Sequence, residues 1–206
     1  MSFEEFTPKE LLHIPRIQRR GMRSKIRHVV GQYARLNGPK EATLWAEFGV
    51  ATGKTVPHWI PNVRACGTDH TLDLFDIFTG LPEEWDRGDR IVPKGKFRAP
   101  VIPSYREEFV HVHVGMFADT APPASWNGKL LRFVYIDSDI YSGSLDALYA
   151  ISEYIIPGTV ILFDDLYDYP NYLDHQYKAL CQWRDETKWN VEWKWRSKES
   201  AGGVIV

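Results

Sequence analysis

Five short apolar runs, each ending in a turn rich in glycine or aspartate, constrain this chain more than any other feature. They fall at residues 43–48, 71–75, 110–114, 131–136 and 159–163, with helical patterns over 55–63, 145–154 and 173–188 following most of them. Strands apolar on both faces and separated by helices predict a parallel sheet covered on each side. Residues 190–196 alternate instead, with Val191, Trp193 and Trp195 on one face and Glu192, Lys194 and Arg196 on the other. Together with residues 203–206 they predict an antiparallel hairpin closing one sheet edge. At the start, Thr7-Pro8-Lys9-Glu10 is a capping box with proline at the first helical position, so a helix is expected there. Pro15 interrupts it, and a second helix is expected over 16–36, closed by Asn37-Gly38. The stretch 81–109 is long, irregular and rich in Pro, Gly and charge, which marks a functional loop or hidden structure.

Composition narrows the class. The 206 residues fit one domain, with a helical segment over 1–40 ahead of an α/β core over 41–206. An apolar fraction of 44% and an aromatic fraction of 14% belong to a folded globular chain. No apolar run approaches the roughly 20 residues of a membrane span, so no membrane partner is expected. The opening MSFEEFTPKE is acidic and polar, unlike a secretory signal. The two cysteines, Cys66 and Cys181, lack metal-ligand spacing and are expected as reduced thiols in a cytoplasmic protein. A net charge of −2 argues against nucleic acid as the main partner. Locally, Arg16, Arg19, Arg20, Arg23, Lys25, Arg27 and Arg35 form a basic run without acidic residues. It could hold phosphates, but a solvated face or a partner for acidic loops is the expectation. The oligomeric state is open, a homo-oligomer included.

In an open α/β sheet, ligands bind beyond the carboxyl ends of the strands, and polar residues collect there in this chain. After the first strand stand Glu47, Phe48, Gly49, Gly53 and Thr55. Two glycines four apart permit a tight turn and close approach of a ligand, and the following helix N-terminus can receive an anion. The loop is not a P-loop, and it lacks the dinucleotide fingerprint of a nicotinamide-binding dehydrogenase. Glu47, a carboxylate at a buried strand end, needs a partner, for which a ligand ammonium would serve. Asp76 at the second strand tip is positioned for ribose hydroxyls, with a turn cap as its other reading. Phe78 follows it. Gly115, Met116 and Phe117 suit the edge of an aromatic ring, or plain core packing. Asp137 and Asp139 end the fourth strand, and Asp164 and Asp165 end the fifth. Four carboxylates on neighbouring strands repel one another unless protons or a cation intervene. Oxygen-only ligands favour Mg²⁺, with Mn²⁺ or Ca²⁺ as alternatives. The competing reading makes Asp139 a helix cap and Asp165 a turn residue.

The segments 47–53 (EFGVATG), 75–82 (FDIFTGLP), 115–122 (GMFADTAP), 136–142 (IDSDIYS) and 157–165 (PGTVILFDD) resemble, in order, the macrocin O-methyltransferase family. That family includes enzymes acting on sugars of macrolide and aminocoumarin antibiotics. The resemblance implies a Rossmann-like, seven-stranded, mostly parallel sheet with helices on both faces and a reversed final strand. It implies S-adenosylmethionine along the first three strands, contacted by the residues named above and by Asp137. It also implies Mg²⁺ on Asp137, Asp164 and Asp165, and Asp139 as general base. The expected activity is O-methylation of a sugar hydroxyl, with a carbohydrate acceptor as partner. A catechol-like acceptor, or an inactive S-adenosylmethionine-binding module, is the alternative. Three features depart from the family: Pro57 and Pro61 in the first sheet helix, a short segment before the first strand, and an unusual stretch over 168–176.

Overall fold

The computed structural model describes residues 6–17 and 22–206, with side chains of the second segment from residue 25 onward. Arg19, Arg20 and the side chain of Arg23 lie outside the described residues. The first expected helix is only a 3-10 turn, Lys9–Leu11. Pro15 disfavours helical backbone at Ile14, so too few residues remain to offset nucleation. Arg16 instead bridges to Arg196, and Ile17 N–H donates to the Arg196 carbonyl at 2.8 Å. Helix α1 therefore spans Met22–Asn37 rather than beginning at Arg16. Gly38 N–H closes it on Ala34 O, and Arg132 donates to the carbonyls of Ala34 and Arg35, satisfying its open end.

The strands follow in chain order: β1 (Leu44–Phe48), β2 (Thr71–Asp76), β3 (Trp85–Asp86), β4 (Ile91–Val92), β5 (Val110–Val114), β6 (Leu131–Ile136), β7 (Val160–Phe163), β8 (Val191–Arg196) and β9 (Ala201–Ile205). Seven form one sheet in the order β5-β2-β1-β6-β7-β9-β8, and β3 pairs with β4 in a separate ribbon. The pairings from β5 through β7 are parallel, while β9 runs antiparallel to both β7 and β8. Between β1 and β2, the prolines leave a 3-10 turn (Val56–His58) and the short α2 (Ile60–Cys66). Short α3 (Phe117–Thr120) follows β5, α4 (Tyr141–Ile151) joins β6 to β7, and α5 (Gln176–Thr187) precedes β8. Stretch 168–176 holds a further 3-10 turn, Tyr172–Asp174.

Strands β1, β6 and β7 are buried at every position, as their mostly apolar sequences require, with Glu47 and Arg132 the charged exceptions. On one face Ala46, Phe48, Val134 and Ile136 pack with Leu148 and Trp183. On the other, Trp45, Phe133 and Tyr135 pack with Trp59 and with Ile26, Val30 and Ala34 of α1. Edge strand β5 is only partly covered. The expected alternation of β8 fails at its end. A bulge between Trp193 and Trp195 sends Trp193 to the first core and Trp195 to the second, where it meets Tyr33 edge-on. No described helix is long and apolar enough to cross a membrane. Cys66 and Cys181 are free thiols.

Candidate active site at the carboxyl rim

Backbone hydrogen bonds continue past the strand ends and align their tips. Gly49 N–H donates to Phe75 O, Asp137 N–H to Phe48 O, Asp164 N–H to Ile136 O and Gly115 N–H to Asp76 O, all at 2.8–3.1 Å. The first and fourth tips touch so closely that a Cβ at Gly49 would lie 1.9 Å from the Asp137 carbonyl oxygen. Gly49 also has φ +93°, a region that costs any other residue strain. A cleft of about 390 Å³ opens over these tips.

Gly49, Asp76, Gly115, Met116, Phe117, Asp137, Asp139, Asp164 and Asp165 line the cleft. Asp76 accepts from Val50 and Ala51 N–H at 2.8 Å through one oxygen, and from Phe78 N–H at 2.5 Å through the other. It thus ties the loop after β1 to the tip of β2. Glu47, Phe48, Gly53, Thr55 and Phe78 are not on the cleft wall. Phe48 stacks on Phe75, Gly53 abuts Tyr105 and Pro103, and Phe78 is packed in the second core.

Glu47 has partners within the protein: the Thr55 hydroxyl and the Trp59 indole N–H, the latter at 2.6 Å. Burial pushes its pKa up from 4.5 to about 7, against those two bonds. A carboxyl whose folded pKa is raised contributes stability that is complete below pH 4.5 and is lost as pH rises through about 7. Glu47→Gln is therefore expected to gain on the wild type by about 3 kcal/mol between pH 4.5 and pH 8, from the shift of folded-state pKa to about 7. Urea unfolding at both pH values measures this, and a constant difference would assign Glu47 an unshifted pKa.

The acidic residues meet as the strand tips require. One carboxylate oxygen each from Asp137, Asp164 and Asp165 lies within 4.8 Å of the others. Ser200 Oγ donates to Asp164 at 3.0 Å. Asp139 adopts the left-handed conformation, φ +61°, which Asp tolerates better than most residues. It does not cap α4, whose N-cap is Ile140. Its buried carboxyl hydrogen-bonds Asp165, and its pKa is raised well above the carboxylate range by burial, then by the charges of Asp165 and Asp137.

Among the described residues, Arg27 and Arg87 stand against the cluster. Arg27 of α1 donates to Tyr135 Oη through Nε at 2.9 Å and Nη2 at 2.6 Å, and to Asp164 through Nη2 at 3.0 Å. Burial opposes its charge, but Tyr135, Asp164 and Asp137 outweigh it and raise the guanidinium pKa. Arg87, only 2% exposed, sits between the rings of Trp85 and Tyr169 at 4.4 and 4.3 Å. It reaches Asp165 at 3.4 Å and Glu199 at 3.0 Å. This ribbon is further held by Asn171 N–H on Arg87 O and by His175 against Asp86 O. The sequence reading missed Arg87, Trp85, Tyr169 and Tyr135. The basic run points to acidic loops as partners, and among the described residues Arg27 meets Asp164 while Arg16 pairs with Asp168.

A mostly parallel sheet with a reversed strand β9 and a glycine- and aspartate-lined cleft at its rim define a Rossmann-like methyltransferase fold. Residues 46–166 match the family model described as "Methyltransferase domain", and the chain belongs to that family. Among solved structures, it is similar to CalS11, a calicheamicin methyltransferase, with TM-score 0.68 and 19% identity over 90% of this chain and 80% of that one. An apo structure of CalS11, described as TDP-rhamnose 3'-O-methyltransferase, gives TM-score 0.63 and 17% identity over 90% and 81%. The O-methyltransferase NovP gives TM-score 0.64 and 20% identity over 88% and 78%. TomG from Streptomyces achromogenes, an O-methyltransferase solved with SAM, gives TM-score 0.51 and 15% identity over 88% and 78%. At such identities the likeness establishes the fold. No curated protein sequence matches the chain.

Proposed function

We propose that this protein is an S-adenosylmethionine-dependent O-methyltransferase that uses Mg²⁺ and modifies a hydroxyl of a sugar or sugar-containing small molecule. One observation carries the reading: Asp137, Asp164 and Asp165 converge within 4.8 Å on the wall of the cleft that Gly49 and Asp76 also line. Hard oxygen donors suit Mg²⁺, or Mn²⁺ or Ca²⁺ in its place. The bare Gly49 backbone and the Asp76 carboxylate suit an adenosyl ligand whose ribose hydroxyls need an acceptor. The macrocin-type motifs support the sugar acceptor, as does the likeness to CalS11, a TDP-rhamnose 3'-O-methyltransferase. Free Cys66 and Cys181 support a cytoplasmic setting.

When bound, S-adenosylmethionine supplies an electrophilic methyl group and Mg²⁺ a charge that makes an acceptor hydroxyl more acidic. The chain's residues supply the rest. Asp137, Asp164 and Asp165 would hold the cation, and Asp139, in its ionised form, would receive the proton of the acceptor oxygen. Met116 and Phe117 offer an apolar edge to the adenine. Leu81, Trp85 and Phe97 wall the cleft and exclude water from it. Helix α1 would cover the acceptor, its Arg27 lying against the acidic residues. An acceptor bearing adjacent hydroxyls chelates a cation through two oxygens, so a catechol would be handled in the same way.

The test is calorimetric titration with S-adenosylmethionine, followed by methyl transfer to a panel of sugars and catechols with and without Mg²⁺. Cofactor binding with Mg²⁺-dependent transfer to a sugar is expected. Binding without transfer would leave an inactive binding module, and absence of binding would sink the reading. Asp76→Ala is expected to weaken S-adenosylmethionine by at least about tenfold, the loss of a charge-assisted pair of hydrogen bonds. A folded variant with unchanged affinity would remove Asp76 from the cofactor site.

A further inference from the structure

We infer that Arg27 is a positioning residue that sets the divalent-cation affinity of the aspartate cluster by acting as its built-in competing cation, an inference that rests on reading the cluster as a metal site. The geometry comes from α1. Ile26, Val30 and Ala34 anchor the helix on the sheet beside Tyr135, which carries the intervening Arg27 to the rim. Its Nη2 lies 3.0 Å from Asp164 and 3.8 Å from Asp137, so one guanidinium faces two of the three candidate ligands. The Asp164 side chain is only 2% exposed and Arg27 15%, so water screens this pair weakly. Tyr135 locks the arrangement: it accepts from Arg27 and donates to Asp137 at 3.1 Å.

Arg87 touches the third ligand, Asp165, but also faces Glu199 and Asp89. The described ion pairs of Arg27, by contrast, are both with cluster aspartates. A dication arriving among these oxygens therefore meets a fixed positive charge that no accessible pH removes. Either the guanidinium withdraws, loosening α1, or it stays and repels the ion. In both cases the free enzyme binds the cation weakly. An acceptor contributing two hydroxyl oxygens would then tip the balance, so cation and acceptor would load together.

The experiment titrates Mn²⁺ alone into the full chain and follows it by electron paramagnetic resonance. The proteins are wild type, Arg27→Met, Arg27→Gln and Arg27→Lys. Removing the charge is expected to tighten Mn²⁺ binding by at least roughly tenfold in Arg27→Met and Arg27→Gln. Arg27→Lys keeps the charge and should stay within about threefold of wild type. Equal or weaker Mn²⁺ binding in both neutral variants, folded by circular dichroism, overturns the inference and leaves the metal site standing. No Mn²⁺ uptake by any of the four proteins overturns both.

Discussion

Asp139→Asn is expected to lower methyl transfer by roughly 10²–10⁴-fold, the range for a missing general base, while Mg²⁺ and S-adenosylmethionine still bind. Fold and site both make this substitution informative. Asparagine accepts the left-handed backbone at φ +61° about as readily as aspartate does. It also keeps the size of the side chain and part of its hydrogen bonding to Asp165. The variant should therefore fold normally and lose only the capacity to accept a proton. Asp164→Ala should differ, losing the cation and turnover together, because Asp164 is one of the three converging carboxylates. Single-turnover rates and metal titration of each variant measure the contrast. Full activity in Asp139→Asn would move the base elsewhere, and loss of the cation would make Asp139 a ligand.

The second large effect is expected at Gly49. A methyl group there would lie 1.9 Å from the Asp137 carbonyl oxygen, a backbone atom pinned by its neighbours' strand pairing. The clash adds to the cost of φ +93° in a residue with a side chain. Strain of about 1–2 kcal/mol and overpacking of about 1–3 kcal/mol together suggest a loss of roughly 2–5 kcal/mol for Gly49→Ala. In a chain of this size that is a fall in Tm of roughly 5–15 °C. The separated tips of β1 and β6 should also lose cofactor affinity, since Gly49 and Asp137 share the cleft wall. Thermal melting and calorimetry check both effects, and a variant melting beside wild type would contradict the contact.

Legibility in the sequence followed how local each determinant was. The central strands were readable because burial on both faces demands a mostly apolar run, as 131–136, interrupted by Arg132, and 159–163 display. The capping box at Thr7 was readable and misleading, because a nearby proline and the bridge from Arg16 to Arg196 outweighed it. In β8 the alternating pattern was correct only as far as Trp193. An extra residue in the pairing with β9 then moved Trp195 to the opposite face. A bulge depends on the partner strand, which the pattern of one strand does not contain.

The sequence by itself determined the strands of a doubly wound sheet and the placement of Asp76, Asp137, Asp139, Asp164 and Asp165 at strand ends. These are consequences of hydrophobic periodicity and chain order, which act over a few residues. Only the tertiary structure decided that three of those carboxylates converge, that Glu47 turns to Thr55 and Trp59, and that arginines stand against the acidic cluster. Arg27 is 137 residues from Asp164 in the chain, and Arg87 is 78 from Asp165. A charge in a helix or loop carries no local mark of its partner. The pairing arises when strand order brings distant segments to one rim and burial makes an unpaired charge there too costly to keep.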